Sequence, residues 1–445
     1  MNKLKAPART TEDHSPRLVR AIGLFGLTAI AVNGVIGSGI FALPATVASK
    51  VGTASPVAYI IAALLIALIA ACFAEAGGMF ERTGGPYLYA REAFGSFIGF
   101  EVGWMFLLSR LAAAAAISNA FASHLGYFWP PLKSGAGRVA AITLLLAGLA
   151  WINLVGIRSS SRVVNLLTVA KLVPLSLFIL VGLFFVDSSR YEFFALPEMS
   201  RLQQASLALI FAFGGFENAS IPTEESGDPR ANLPLALLIA IGMTTVLYIL
   251  IQIVAQGTLA EIAGNETPVA SAGEKFLGPA GAAIIAAGAV LSTSGSNSAL
   301  ALVGPRILYA MGEEGQFPAA LARVHSRYRT PHVAVIVFAI AAWAAALYGD
   351  FAVLVMVSAI ARLLFSATTC LAVPVLRHKM PDAPRKFKLP FGSLIPALAA
   401  IISIWLLTGI NLSQAIAGAA ALIIGVILYF IFRQTEAGRS SHIKS

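Results

Sequence analysis

Gly34-Val35-Ile36-Gly37-Ser38-Gly39 sits in the first apolar stretch of this chain, and Gly214-Gly215 sits in the sixth. Glycine is, after proline, the residue least suited to a helix interior, because its backbone gains most freedom when the helix opens. In lipid, an opened backbone survives only where protein or water satisfies its freed N–H and C=O groups. Paired interruptions at matching places in two halves of a membrane chain point to a carrier's substrate site. The alternative is close helix packing, for which small residues also serve. Either interruption alone favours packing; the pairing favours the site.

The surroundings of these stretches place them in a bilayer. Of 445 residues, 58% are hydrophobic and 12% charged, with a mean hydropathy of +0.81. No soluble domain needs so much apolar surface, so the expected class is an all-α, polytopic membrane protein. About twelve spans of roughly 17–25 apolar residues can be drawn. They divide the chain into a tail at 1–18, a first group of five spans at 19–186, a second at 205–376, a final pair at 389–433 and a tail at 434–445. The tail before the first span does not read as a cleavable signal peptide. Cys72 and Cys370 fall inside apolar spans and read as packing residues.

The net charge of +10 reflects topology and not nucleic acid. With the N-terminus cytoplasmic, the inner segments carry 22 of the 31 Lys and Arg residues and the outer segments 6. This is the positive-inside distribution of a plasma-membrane protein with both termini cytoplasmic, its basic loops facing anionic lipid.

The first and sixth spans, each broken, head groups of five that overlay in hydropathy. An odd number of spans per group inverts the second copy, which gives a five-plus-five inverted repeat with two spans added. Turns at Thr83-Gly84-Gly85-Pro86-Tyr87, Glu224-Glu225-Ser226-Gly227-Asp228-Pro229 and Gly304-Pro305-Arg306 all fall on the inner side. They read as loops, with a gating network as the sharper alternative; Tyr87 and Tyr89 suit a membrane interface.

Gly34 to Phe41, Phe211-Ala212-Phe213-Gly214-Gly215-Phe216-Glu217, Thr83 to Tyr87 and the Glu225, Asp228-Pro229 turn resemble motifs of the amino acid–polyamine–organocation transporter superfamily. They occur in order along nearly the whole chain. The resemblance implies a LeuT-type fold with broken helices 1 and 6, and transport of amino acids or related amines. It also implies that Phe213 is an aromatic lid over the site, against a plain packing role, and that Lys171 stands where sodium-coupled relatives hold a cation.

An amino acid zwitterion offers a carboxylate and an ammonium. The start of a half-helix supplies free N–H groups and a positive dipole end for the carboxylate, here from Gly37, Ser38 and Gly39. Carbonyls freed around Val32 and Asn33, and around Phe211, Ala212 and Phe213 beside Gly214 and Gly215, suit the ammonium, and Ile36 is counted with the same binding stretch. Lys171 is an ionisable residue deep in the fifth span and therefore a functional candidate. Its partners are expected at the first break and among the hydroxyls Ser292, Thr293 and Ser294. A lysine can shed its proton where an arginine cannot, so Lys171 reads as a proton carrier or as a fixed cation replacing sodium; snorkelling to the membrane edge is the plainer role.

Arg110, Glu217, Glu75 and Arg362 are embedded charges, and buried charges are usually paired. Arg110 with Glu217 is the expected pair, with Glu75 and Arg362 placed at an inner gate. A free Glu217 favours cationic substrates and a paired one favours neutral substrates. Asn297 is expected to line the cavity or to pack on the first span. No nucleotide loop, metal-ligand cluster or nucleophile motif is present, so neither an enzyme nor a cofactor nor a metal is expected. The expected function is a secondary active amino acid importer, proton-coupled through Lys171. Exchange without ion coupling and polyamine transport are the alternatives, and a ligand sensor ranks last.

Overall fold

A computed structural model describes residues 18–191, 197–349 and 351–442, and the described residues are helical apart from loops and one isolated bridge between Ile22 and Ser226. All but Leu18 of the 1–18 tail lies outside them. In chain order the helices are α1 (Leu24–Val35), α2 (Gly39–Val51), α3 (Ser55–Gly78), α4 (Pro86–Phe94), α5 (Ser96–Leu125), α6 (Gly135–Val155) and α7 (Ile157–Gly182). They continue as α8 (Met199–Phe213), α9 (Pro229–Thr258), α10 (Pro268–Glu313), α11 (His332–Tyr348), α12 (Phe351–Lys379), α13 (Leu394–Leu407) and α14 (Leu412–His442).

Among the described residues, eight helical stretches are long and apolar enough to cross a membrane, and α1, α11 and α13 are shorter apolar helices. Large apolar side chains such as Leu64, Leu144, Leu166 and Ile423 are more than half exposed. This outward greasy surface is what a lipid-embedded bundle presents.

Both glycine stretches are breaks. α1 stops at Val35 and α2 starts at Gly39; α8 stops at Phe213, and a 3-10 turn runs from Phe216 to Ser220. At the second break Gly215 takes φ 118°, a left-handed value that suits glycine. The helix pairs with the broadest contact are α7 with α10, α3 with α9, α5 with α12 and α5 with α10.

Three expectations are corrected. Gly304-Pro305-Arg306 does not end a helix: α10 continues to Glu313, and its real kink is Gly278 at φ 63°. Tyr87 and Tyr89 are buried in α4 and its contacts, not exposed at an interface. α14 runs on to His442 where a tail from 434 is expected.

Candidate functional site

Gly34 and Gly215 bring the two breaks into backbone contact. A β-carbon on Gly34 would lie 2.2 Å from the Gly215 carbonyl oxygen, and one on Gly215 would lie 2.2 Å from that of Gly34. Only glycine at both positions permits this approach. Gly34 therefore lies inside α1 as a packing residue, while the opening itself begins after Val35. The packing and opening readings both apply, at neighbouring residues.

The opening frees carbonyls one turn later than expected. Val32 is not free, since its carbonyl accepts Ile36 N–H at 2.8 Å. Asn33 faces α7, donating to the Val164 carbonyl at 2.9 Å and to the Thr168 hydroxyl. The Val35 carbonyl still accepts the Gly37 N–H at 2.9 Å; the carbonyls taken up by side chains alone are those of Ile36 and Gly37. Tyr248 donates its hydroxyl to Val35 at 2.8 Å and reaches the Ala212 carbonyl at 3.1 Å, which ties both breaks to α9.

Lys171 is fully buried, and its Nζ donates to the Ile36 carbonyl at 2.5 Å. Ser292 Oγ donates to the same oxygen at 3.0 Å and to Gly37 at 3.1 Å, and Ser296 Oγ to Ile36 at 3.1 Å. Thr293 and Ser294 do not join this cluster: their hydroxyls turn back onto carbonyls of α10 itself. Ser292 and Ser296 are four apart and share a helix face, which Thr293 does not.

Above the break lies a cavity of about 880 Å³. It is lined deep down by Gly34, Val35, Gly37, Ser38, Gly39, Ala212, Gly214, Arg110, Asn218, Ser358 and Arg362, and reaches exposed Tyr127, Lys133 and Glu266 at its mouth. This volume suits a small organic solute. Gly39 and Ile40 open α2, where backbone N–H groups have no acceptor within the helix. They supply a positive dipole end beside the cavity.

Of the remaining site expectations, Ile36 and Gly215 lie behind the lining. Phe213 is fully buried against Tyr248, ring centroids 5.0 Å apart, and is not among the residues that line the cavity. The side chain of Phe211 lies outside the described residues. Asn297 is buried in a small recess with Phe338 of α11, away from the main cavity.

Glu217 is paired twice. Its Oε1 accepts from Arg110 Nη2 and from Arg362 Nε, both at 3.0 Å, and its Oε2 accepts the Gly215 N–H at 2.8 Å. Arg110 also donates to Asn218 Oδ1 at 2.6 Å. Arg362 thus belongs to the cavity floor and not to an inner gate. Glu75 instead holds Arg377 through two hydrogen bonds, at 2.7 and 2.6 Å, and accepts the Leu389 N–H at 2.7 Å.

The opposite face is closed by a charge network. Arg306 and Glu225 form a buried two-bond pair, with Arg306 Nη2 to Glu225 Oε1 at 2.8 Å. The Glu225 carbonyl accepts N–H groups of Ala21 and Ile22 at 2.8 and 2.9 Å, strapping the entry to α1 across the turn before α9. Glu81 meets Arg20 and Arg230, and Glu314 meets Arg82 and Arg91. Tyr248 and Asn218 were not picked out from sequence, and Arg306 and Glu225 stood in turns with a gating network as the sharper alternative but were not paired with one another. Each is an ordinary residue type whose role depends on helix rotation.

A sequence model described as amino acid permease matches residues 22–432. Among similar proteins is the branched-chain amino acid permease BcaP of Bacillus subtilis, 29% identical over 94% of each chain. The methylthioribose transporter of Bacillus subtilis is 28% identical over 97% of this chain and 98% of its own. Large neutral amino acids transporter small subunit 2 of Mus musculus is 30% identical over 93% of this chain and 81% of its own.

Proposed function

This chain belongs to the amino acid permease family, whose members are carriers and not enzymes, and on that premise we propose that it imports amino acids across the plasma membrane by alternating access. The observation that carries the reading is the contact of two broken helices, at Gly34 and Gly215, at the base of a cavity whose mouth opens on the face of exposed Tyr127, Lys133 and Glu266. That face lies away from the basic, charge-latched side. The positive-inside rule makes the latched side, with both termini, cytoplasmic.

The helix partnerships support the five-plus-five inverted repeat of the LeuT type. Laying the first group of five spans over the second turns the α5–α12 pair into the α10–α7 pair, and α1–α9 into α8–α3. The α3–α9, α5–α10 and α6–α11 pairs map onto themselves. A bundle with this pseudo-two-fold relation has a second state reached by exchanging the roles of its halves, which is the geometry alternating access uses.

The substrate carboxylate docks at the α2 start around Ser38 and Gly39, and the ammonium beside the carbonyls of the two breaks. Lys171 couples transport to protons. Its ammonium is the one charged donor on the Ile36 carbonyl, so loss of its proton loosens the first break. Glu217, held by two arginines, is not free to bind a polyamine.

The test is uptake of labelled amino acids by proteoliposomes under an imposed pH gradient. Wild type is expected to accumulate substrate with acid outside, and Lys171→Ala to bind substrate but lose the gradient dependence. Gradient-driven accumulation by Lys171→Ala removes Lys171 as the carrier. Sodium-driven uptake overturns the coupling altogether.

A further inference from the structure

Glu101 stands in the second turn of α5, away from the cavity, and differs from the other embedded glutamates. Glu75, Glu217 and Glu225 each hold a guanidinium. Both carboxyl oxygens of Glu101 are buried, and neither has a hydrogen-bond partner or a cation among the described residues.

The carboxyl has a shaped seat on α14. A β-carbon on Gly425 would lie 2.6 Å from Glu101 Oε2, 2.8 Å from Oε1 and 2.6 Å from Trp104 Cδ1. Gly425 therefore clears the space the carboxyl occupies and bares the α14 backbone beneath it. Trp104 Nε1 donates to the Ala421 carbonyl at 2.8 Å, one turn away on the same helix. The seam around this seat is apolar. Phe97 and Phe100 pack on Tyr429, with ring centroids 5.2 and 5.4 Å apart, and Met105, Ala361 and Ala421 cluster on the other side.

The charges on neighbouring elements point elsewhere. α14 presents Tyr429 one turn beyond Gly425, and Arg433 two turns beyond it, exposed. α4 lays Arg91 along Gly99, and Glu314 holds that guanidinium. α10 brings Met311 to Gly103, while its Arg306 serves Glu225 and its Glu313 accepts from Tyr309. Arg362 of α12 turns to Glu217.

A carboxylate without water, donor or cation is costly in such a place. A protonated carboxyl is neutral and carries an O–H to donate, which the bared carbonyls of α14 can accept. We propose that Glu101 is a proton-binding site that fastens α14 to α5. With the proton in place the seam is closed. Ionisation calls for water around the carboxylate, and the seam loosens from the latched face, where α5 begins.

The test is the infrared difference spectrum between wild type and Glu101→Gln, both as full chains in lipid, titrated from acid to alkaline pH. A protonated carboxyl gives a carbonyl stretch above the amide band, and carboxyls common to both proteins cancel. An ordinary glutamate is protonated in only about one molecule in 500 at about pH 7, so a band from Glu101 at that pH, fading as pH rises, is the expected result. Gly425→Ala, which crowds the seat without touching the acid, is expected to shift or weaken the band. A second reading uses Ala421→Cys with a small membrane-permeant maleimide. Labelling is expected to be equal in the Glu101 and Glu101→Gln backgrounds at acid pH, and at least about fivefold faster with Glu101 at alkaline pH, as an unpaired polar group in the seam implies. No difference band at neutral pH overturns the proton site. A band that Gly425→Ala leaves unchanged overturns the seat on α14. Equal labelling of both backgrounds at every pH overturns the fastening.

Discussion

Glu225 performs two tasks at once, and its side chain and carbonyl answer to different partners. The carboxylate neutralises buried Arg306, and the carbonyl straps Ala21 and Ile22. Removing one partner of a buried ion pair leaves the other uncompensated, at a cost of about 3–5 kcal/mol, whereas replacing both with apolar groups is often near neutral. Glu225→Gln is therefore expected to lower the melting temperature sharply, and Arg306→Met with Glu225→Leu to recover most of the loss; thermal unfolding in detergent reads both. Its neighbour Glu224 gives a pH dependence. Desolvation, with the nearby Glu313 and Glu225 carboxylates, raises the Glu224 pKa above the ordinary glutamate value. The folded, latched form therefore binds this proton more tightly than the unfolded chain. That contribution is fully present below the ordinary value and is lost as pH rises through the raised one. Melting curves across this window are expected to show an acid-side gain in wild type that Glu224→Gln lacks; an equal gain in both removes Glu224 as its source.

The crossing of α1 with the turn after α8 is decided by the absence of two methyl groups. Gly34→Ala would drive a β-carbon into the Gly215 carbonyl, and backbone cannot step aside as a flexible side chain does. Overpacking of this kind costs about 1–3 kcal/mol or more. Gly34→Ala is expected to lose both thermal stability and ligand binding, whereas Gly242→Ala in α9, where a β-carbon meets nothing within 4 Å, is expected to be neutral or better. Normal ligand-induced stabilisation of Gly34→Ala would show that the crossing does not build the site. The breaks themselves were legible in the sequence because two glycine stretches stand at matching places in the two groups of spans, where either alone favours packing. Their register was not: the sequence marks Gly34 and Gly37 alike, and only the fold separates the residue that packs from those that open. The cluster on Ile36 was half legible for the same reason. The serine-rich run in α10 announces polarity, but choosing Ser296 over Thr293 requires the rotation of α10 about its axis. Tyr248 carries no signal at all, since a tyrosine in an apolar helix is as often core as ligand.

The cavity opens at exposed Tyr127, Lys133 and Glu266 while ion pairs gather on the basic side, and under the alternating access proposed above this is one of two arrangements. A carrier must leave this state readily, so the latch and the rest of the fold have to differ in strength. The latch is polar, local and built largely from partly exposed pairs such as Arg20–Glu81 and Lys386–Asp228, which individually contribute little. The Arg306–Glu225 pair is its one fully buried part, alongside the Glu217 cluster on the opposite side of the crossing. Weakening that pair by about 3 kcal/mol would move a two-state balance by roughly a hundredfold. Ala120 lines the cavity on the open side, and both native cysteines are buried, so an Ala120→Cys variant offers a reporter with little background. In right-side-out vesicles it is expected to react quickly with an impermeant thiol reagent, and more slowly once a transported amino acid is added. Adding Glu225→Gln is expected to slow the reaction without substrate, because molecules released from the latch spend their time open to the other side. Labelling that stays fast in the double variant would mean that the closed face is secured by helix packing, and that the ion pairs follow the transition without setting it.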